Sequence, residues 1–185
     1  MQDPTEIVVA GDGHVWIADE GATLPTGVTT DLSTDPDYTE LGFTTEDGAT
    51  FTLSRQNTDL NVWQSLDPVR IIATSRTATV AAVLRQLTPE NAEAAFGGGT
   101  VTKGASSGSY EFPDPDENPV KVLVVDAIDN GKTVRFVFER TQQEGDVTTQ
   151  LQRGDSANLP LTMRVLAGSQ KPIIYSDLPQ FTTAS

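Results

Sequence analysis

Val69-Arg70-Ile71-Ile72-Ala73-Thr74-Ser75-Arg76-Thr77-Ala78-Thr79-Val80-Ala81-Ala82-Val83-Leu84-Arg85-Gln86-Leu87 runs into Thr88-Pro89-Glu90-Asn91-Ala92-Glu93-Ala94-Ala95-Phe96 and stops at Gly97-Gly98-Gly99. The first part is dense in β-branched residues and free of Gly and Pro, the pattern of a long strand. The second part is marked as one short helix over about residues 88–97. Thr88 suits the N-cap, Pro89 the first helical position and Glu90 the positive helix end, while Gly97 supplies a left-handed stop. Two helical turns are not stable alone in water, so this helix has to dock on a sheet.

The rest of the chain is read outward from that junction. Ile7 to Ala18 reads as two short β runs around a Gly11-Asp12-Gly13 turn. Residues 19–37 form a long loop, and loops of that length in compact domains are usually functional or bound to a partner. Tyr38–Phe43 and Ala49–Leu53 read as a strand pair around Glu46-Asp47-Gly48, and Arg55–Gln64 as a further strand. Residues 97–109, rich in Gly, Ser and Thr, read as a mobile loop. Asp129-Asn130-Gly131 predicts a tight hairpin between Val120–Ile128 and Lys132–Gln142. In its second strand Val134, Phe136 and Phe138 alternate with Thr133, Arg135 and Glu139, which predicts one buried and one wet face. Val147–Leu151, Leu161–Leu166 and Ile173–Tyr175 add strands, and Asp177–Ser185 reads as an extended arm. The expected fold is mainly β, a β-sandwich or partial barrel with one flanking helix. Residues 1–185 are expected to form a single domain with N- and C-terminal arms.

Charge bounds the function. Twelve Lys and Arg against 26 Asp and Glu give a net charge of −14, a surface that repels nucleic acid rather than neutralising its phosphates. With no cysteine, disulfides, thiol catalysis and thiolate metal sites are excluded. No run approaches the ~18 apolar residues of a membrane span, and Met1–Glu6 lacks the basic-then-apolar pattern of a signal peptide.

Catalytic constellations do not emerge either. The single histidine, His14, has no nucleophile signature beside it, so a surface or packing role is expected. Asp114, Asp116 and Asn118 imitate the start of a calcium loop, but Pro119 and Val125 occupy the positions that need Gly and a bidentate Glu. Gly97-Gly98-Gly99 follows a helix instead of preceding one and lacks the Gly-Lys-Ser/Thr ending of a phosphate loop. Any carboxylate pair is uninformative among 26 acids. No catalytic residue, cofactor or metal ligand is assigned. Trp16 and Trp63 read as core or interface anchors, with core favoured.

Assembly is what remains. Unpaired edges in an all-β protein are hazards unless closed or used, and long loops and termini can reach neighbours. Head-to-tail contacts that close make rings, and stacked rings make a tube. The expected inter-subunit elements are the loop 19–37 and the segment 171–181. Leu24, Pro25, Tyr175, Leu178 and Phe181 are their candidate contact residues, and Trp63, outside both, is a further candidate.

The passage Leu84-Arg85-Gln86-Leu87-Thr88-Pro89-Glu90-Asn91 through Gly97-Gly98 resembles the strand-to-helix junction of major tail proteins of long-tailed phages. Gly13-His14-Val15-Trp16-Ile17-Ala18, Gly21-Ala22-Thr23-Leu24-Pro25 and Glu40-Leu41-Gly42-Phe43-Thr44-Thr45-Glu46-Asp47-Gly48 are similar to the opening of those from phages of actinobacteria. The resemblance covers nearly the whole chain. It implies a structural, non-enzymatic virion protein, assembled in the host cytoplasm, whose hexameric rings stack into a tail tube. The implied partners are other copies of itself, a tape-measure protein, and tail terminator and tip proteins. DNA would cross the lumen without specific binding, sliding past like charge. On this reading the helix covers one face of the sheet so that the other can face the lumen. Two other readings remain open: a carbohydrate- or receptor-binding β-sandwich module, and the tube protein of a contractile injection system.

Overall fold

The computed structural model describes residues 7–154 and 156–182. Ten strands and one helix follow in chain order. They are β1 (Asp12–Asp19), β2 (Tyr38–Glu40), β3 (Thr44–Leu60), β4 (Arg70–Leu84), α1 (Pro89–Phe96), β5 (Thr100–Lys103), β6 (Gly108–Glu111), β7 (Lys121–Asp129), β8 (Lys132–Gln143), β9 (Leu159–Val165) and β10 (Ile173–Ser176). One large antiparallel sheet runs β2-β1-β7-β8-β9-β4-β3, and β10 also pairs with β8. β8 is shared along its length: β10 lies beside residues 134–137 and β9 beside 141–143.

The sheet is curled but not closed. β3 stands three strands from β8, about 14 Å away in a flat sheet, yet the Phe51 and Phe138 rings are 5.4 Å apart. The two edge strands are also tied by chain: only Leu41–Phe43 separate β2 from β3, a span of about 14 Å at most between the strand ends. Leu41 N–H donates to Val15 O and Arg85 N–H to Phe43 O, so this connector bridges the two ends of the sheet.

The β7–β8 hairpin turns where expected. Asn130 (φ 48°) and Gly131 (φ 77°) both adopt the left-handed conformation of a type I′ turn, which matches strand twist. The predicted wet face of this hairpin is not wet. Side chains alternate into two cores: Val15, Ile17, Leu123, Phe138 and Met163 on one face, and Trp16, Ala18, Val122, Val124 and Val137 on the other. The first is completed by Ala94 and Ala95 of α1, the second by Leu32 and Tyr38. The helix therefore does not free the opposite face of β1, β7 and β8 for a lumen, because the loop 19–37 covers it.

The helix is built as its sequence dictates. Thr88 Oγ1 accepts from Asn91 N–H, and Gly97 ends it at φ 76°. The buried Asn91 amide donates to Leu41 O (2.9 Å) and Gln86 O (2.7 Å), fastening the helix to the strand connector and to the exit of β4. On the exposed side Glu90 meets Lys103 at 2.7 Å, and that hydrogen bond holds the Glu90 carboxyl below its ordinary value.

Several expected boundaries move. Gly11–Gly13 is not a turn: β1 is one strand, paired with β7 from Asp12 to Asp19. A Cβ on Gly13 would stand 2.7 Å from Asp126 O, so glycine serves close strand approach there. β2 pairs with β1, not with β3. Ala49–Leu53 and Arg55–Leu60 are parts of one strand, interrupted near its start by a register shift between Thr44 and Ala49. Residues 97–109 are not a loop throughout, because β5 and β6 form a small hairpin there. Val147–Leu151 makes an isolated bridge, Gln150 to Asn158, instead of a strand. Asp177–Thr182 is a turn and not an extended arm, with Phe181 N–H donating to Leu178 O at 2.9 Å. The expected N-terminal arm and the final three residues fall partly or wholly outside the described residues.

Candidate assembly surfaces

β3 and β4 pair from Thr44/Leu84 out to Leu60/Arg70, but only the inner part of this ladder is covered. Beyond Thr77 every residue of both strands is exposed. From Arg55/Arg76 to Leu60/Arg70 the bare ladder is six to seven residues long, a projection of about 20 Å. Its tip, residues 61–69, is ordered by its own bonds: Val69 N–H to Leu60 O (3.0 Å), Ser65 N–H to Val62 O (3.3 Å) and Asp67 N–H to Ser65 Oγ (3.1 Å).

Such a hairpin has no core to bury its apolar residues. Trp63 is 100% and Leu66 104% exposed, and Val69, Ile71 and Ile72 are exposed beside them. The expectation that Trp63 is a core residue is therefore corrected: it sits at the end of the projection, far from either core. Trp16, in contrast, is buried. Large exposed apolar patches on a folded domain mark interaction sites, and this one is carried on a hydrogen-bonded scaffold.

The loop 19–37 is fastened down. The Arg135 guanidinium grips Asp126 in a bidentate pair, both bonds 2.7 Å and both side chains buried. Its remaining nitrogen donates to Gly27 O (3.0 Å) and Thr30 O (2.7 Å). A strand residue expected to face water is thus the anchor of the loop. Asp31 caps the short turn Leu32–Thr34, and its bonds from the Ser33 hydroxyl and N–H hold its pKa down. Tyr38 Oη donates to Thr23 O (3.0 Å). Burial, with Asp35 and Asp37 nearby, pushes the Tyr38 phenol up to about 12. Within this loop Pro25 is buried and Leu24 half-buried against the second core.

The C-terminal segment is also tied to the body. Asp177 Oδ1 accepts from Thr133 N–H at 2.7 Å, Tyr175 packs half-buried on the second core, and Leu178 is buried. Phe181 remains exposed. Of the six candidate contact residues, Trp63 and Phe181 face solvent while the other four are wholly or partly packed in their own chain. What the residue pattern missed is the pairing of Arg55–Leu60 with Arg70–Arg76 around Asp67-Pro68, although that turn signal stands between two β-rich runs.

Between the β1–β7 strands and the start of β3 the unclosed sheet leaves a cleft of about 890 Å³. Val15, Val80, Val125 and Phe136 line it, with Asp12, Glu40, Glu46 and Asp47. His14 lies there too, paired with Glu40 at 2.6 Å and half-exposed. Among the described residues no cluster of three His, Asp or Glu could hold a metal, and no helix is long and apolar enough to cross a membrane.

A protein-family model described as phage tail tube protein matches residues 1–181. No curated protein matches the chain significantly.

Proposed function

This chain belongs to the phage tail tube protein family, and we propose that it polymerises as stacked hexameric rings into the tail tube of a long-tailed phage. Membership makes it a structural component of the virion tail and points away from enzymatic work. In the proposed assembly the tube surrounds a tape-measure protein, is bounded by terminator and tip proteins, and is built in the host cytoplasm. It then conducts DNA to the next host. A chain of net charge −14 suits such a conduit, because a wall of like charge repels the phosphates that pass it.

One observation carries the reading: the β3–β4 hairpin, with Trp63 and Leu66 fully exposed on an ordered scaffold. A projection that fits a different surface of the same protein makes heterologous contacts, the kind that generate rings and open stacks. The loop 19–37 and the segment 171–181 are further proposed contacts, Phe181 through its exposed ring, and Leu24, Pro25, Tyr175 and Leu178 by holding those segments in shape. Because Leu178 is buried, removing everything from Asp177 onward disturbs the fold as well as any contact, so Phe181→Ala is the cleaner probe.

Negative-stain microscopy of the concentrated protein tests the proposal. Six-fold rings or tubes are expected. Strictly monomeric particles at high concentration overturn it, and glycan binding by that monomer turns the reading toward a receptor-binding module.

A further inference from the structure

Most basic residues in the body of this protein are paired with acids. Lys103 meets Glu90, Lys121 meets Asp19 and Glu93, Arg135 meets Asp126, Arg140 meets Glu20 and Arg164 meets Glu144. The hairpin differs. Among the described residues Arg55, Arg70 and Arg76 have no carboxylate within ion-pair reach.

Two of them are also placed against each other. In the β3–β4 register Arg55 stands directly opposite Arg76, and both are exposed. Directly opposed residues share a face with Cβ atoms about 5 Å apart, and like charges so placed are destabilising. Their neighbours two residues inward, Leu53 and Ala78, bring no negative charge, and the pairing shifts register just outward, between Gln56 and Asn57. The nearest aspartate along the strand, Asp59, lies beyond that shift, four residues on and about 13 Å away. Nothing within the chain's own fold explains two cations held at this spacing.

The charge distribution indicates what does. Residues 53–77 contain three arginines and two aspartates, a charge of +1. The whole chain carries −14, so the remaining residues together carry −15. The surface most complementary to this hairpin is therefore the body of another copy. We infer that the Arg55–Arg76 pair is a carboxylate-binding site that docks the hairpin stem onto an acidic surface of a second copy of this chain. The pair is a fork of planar guanidinium groups, which suits side-by-side carboxylates of Asp or Glu. The exposed apolar tip beyond it supplies the buried area, and the pair supplies register and choice of partner. This rests on the tube reading.

The test uses full-length protein with R55Q/R76Q and R55K/R76K, followed by sedimentation and negative-stain microscopy, with circular dichroism and melting as fold controls. The glutamine pair removes the repulsion, so its monomer should melt at or above the wild-type temperature. Its assembly should need about tenfold more protein or worse, while the lysine pair, which keeps the charge without the planar fork, needs an intermediate amount. Glutamine variants that assemble like wild type overturn this inference alone. A wild-type chain that binds duplex DNA through these arginines, with assembly unaffected by R55Q/R76Q, also overturns it. Wild-type protein that never assembles overturns the tube reading and this inference with it.

Discussion

The sheet body and the β3–β4 hairpin are made of the same residue types, yet only one of them is finished. Around β1, β7 and β8 both faces are covered, one by α1 and one by the loop 19–37, and basic side chains find acidic partners. Along the outer hairpin both faces are bare, isoleucines and a tryptophan meet water, and the arginines stand unpaired. A two-stranded ribbon without a packed face is marginal by itself. Its length and order come from being the outward continuation of a ladder whose inner half, Val80 to Leu84, is buried in the core. The body is where the protein stabilises itself, and the hairpin is where it is complete only with another molecule.

Changes in the body should show that contrast first. Arg135→Ala leaves the Asp126 carboxylate buried without its partner and frees the carbonyls of Gly27 and Thr30. A loss of about 3–5 kcal/mol is expected in urea unfolding, and a smaller loss than 1 kcal/mol would mean the loop is held by its apolar residues alone. Asn91→Ala removes both amide bonds that fasten α1 and should cost about 2 kcal/mol in the same measurement.

Tyr38→Phe should cost about 1 kcal/mol at neutral pH for the bond to Thr23, with a pH signature. The folded phenol keeps its proton up to about 12, whereas the unfolded one releases it near its ordinary value of about 10. The stability Tyr38 adds is therefore whole below pH ~10 and drains away as pH rises toward 12. The stabilities of wild type and Tyr38→Phe should approach and then cross over that window, and a constant difference contradicts the assignment. In the hairpin, Trp63→Ala should change monomer stability by less than about 0.5 kcal/mol, while impairing assembly.

Local chemistry was legible wherever a short signal decides structure. Thr88-Pro89 and Gly97 bracketed α1, Asn130-Gly131 placed the β7–β8 turn, and the β-rich run from Val69 became β4. Pairing over distance was not legible. The mainly β class with one helix was readable from those signals, but apart from β7 and β8 the strand partners were not: β2 joins β1 across the loop 19–37, and β3 joins β4 in a hairpin whose turn signal the residue pattern passed over. Arg135 misled through its alternation with Phe136, since a charged residue reads as exposed unless the Asp126 opposite it and the loop above it are known. Trp63 misled in the other direction. A tryptophan in a β-rich run reads as core, and only the position of the Asp67-Pro68 turn makes it a tip. Leu178 and Tyr175 read as free for a neighbour because nothing local in the sequence shows the pairing of β10 with β8 that brings them against the body.

The central claim is that the hairpin tip is a contact surface between copies, and Trp63 reports on it directly. With Trp16→Phe as background, Trp63 is the sole tryptophan. In the monomer it should emit at the long wavelength of water-exposed indole and be quenched freely by acrylamide. On assembly into rings or tubes its emission should shift to the blue and its quenching should fall sharply. Fully formed tubes in which Trp63 still emits and quenches as in the monomer would contradict the account.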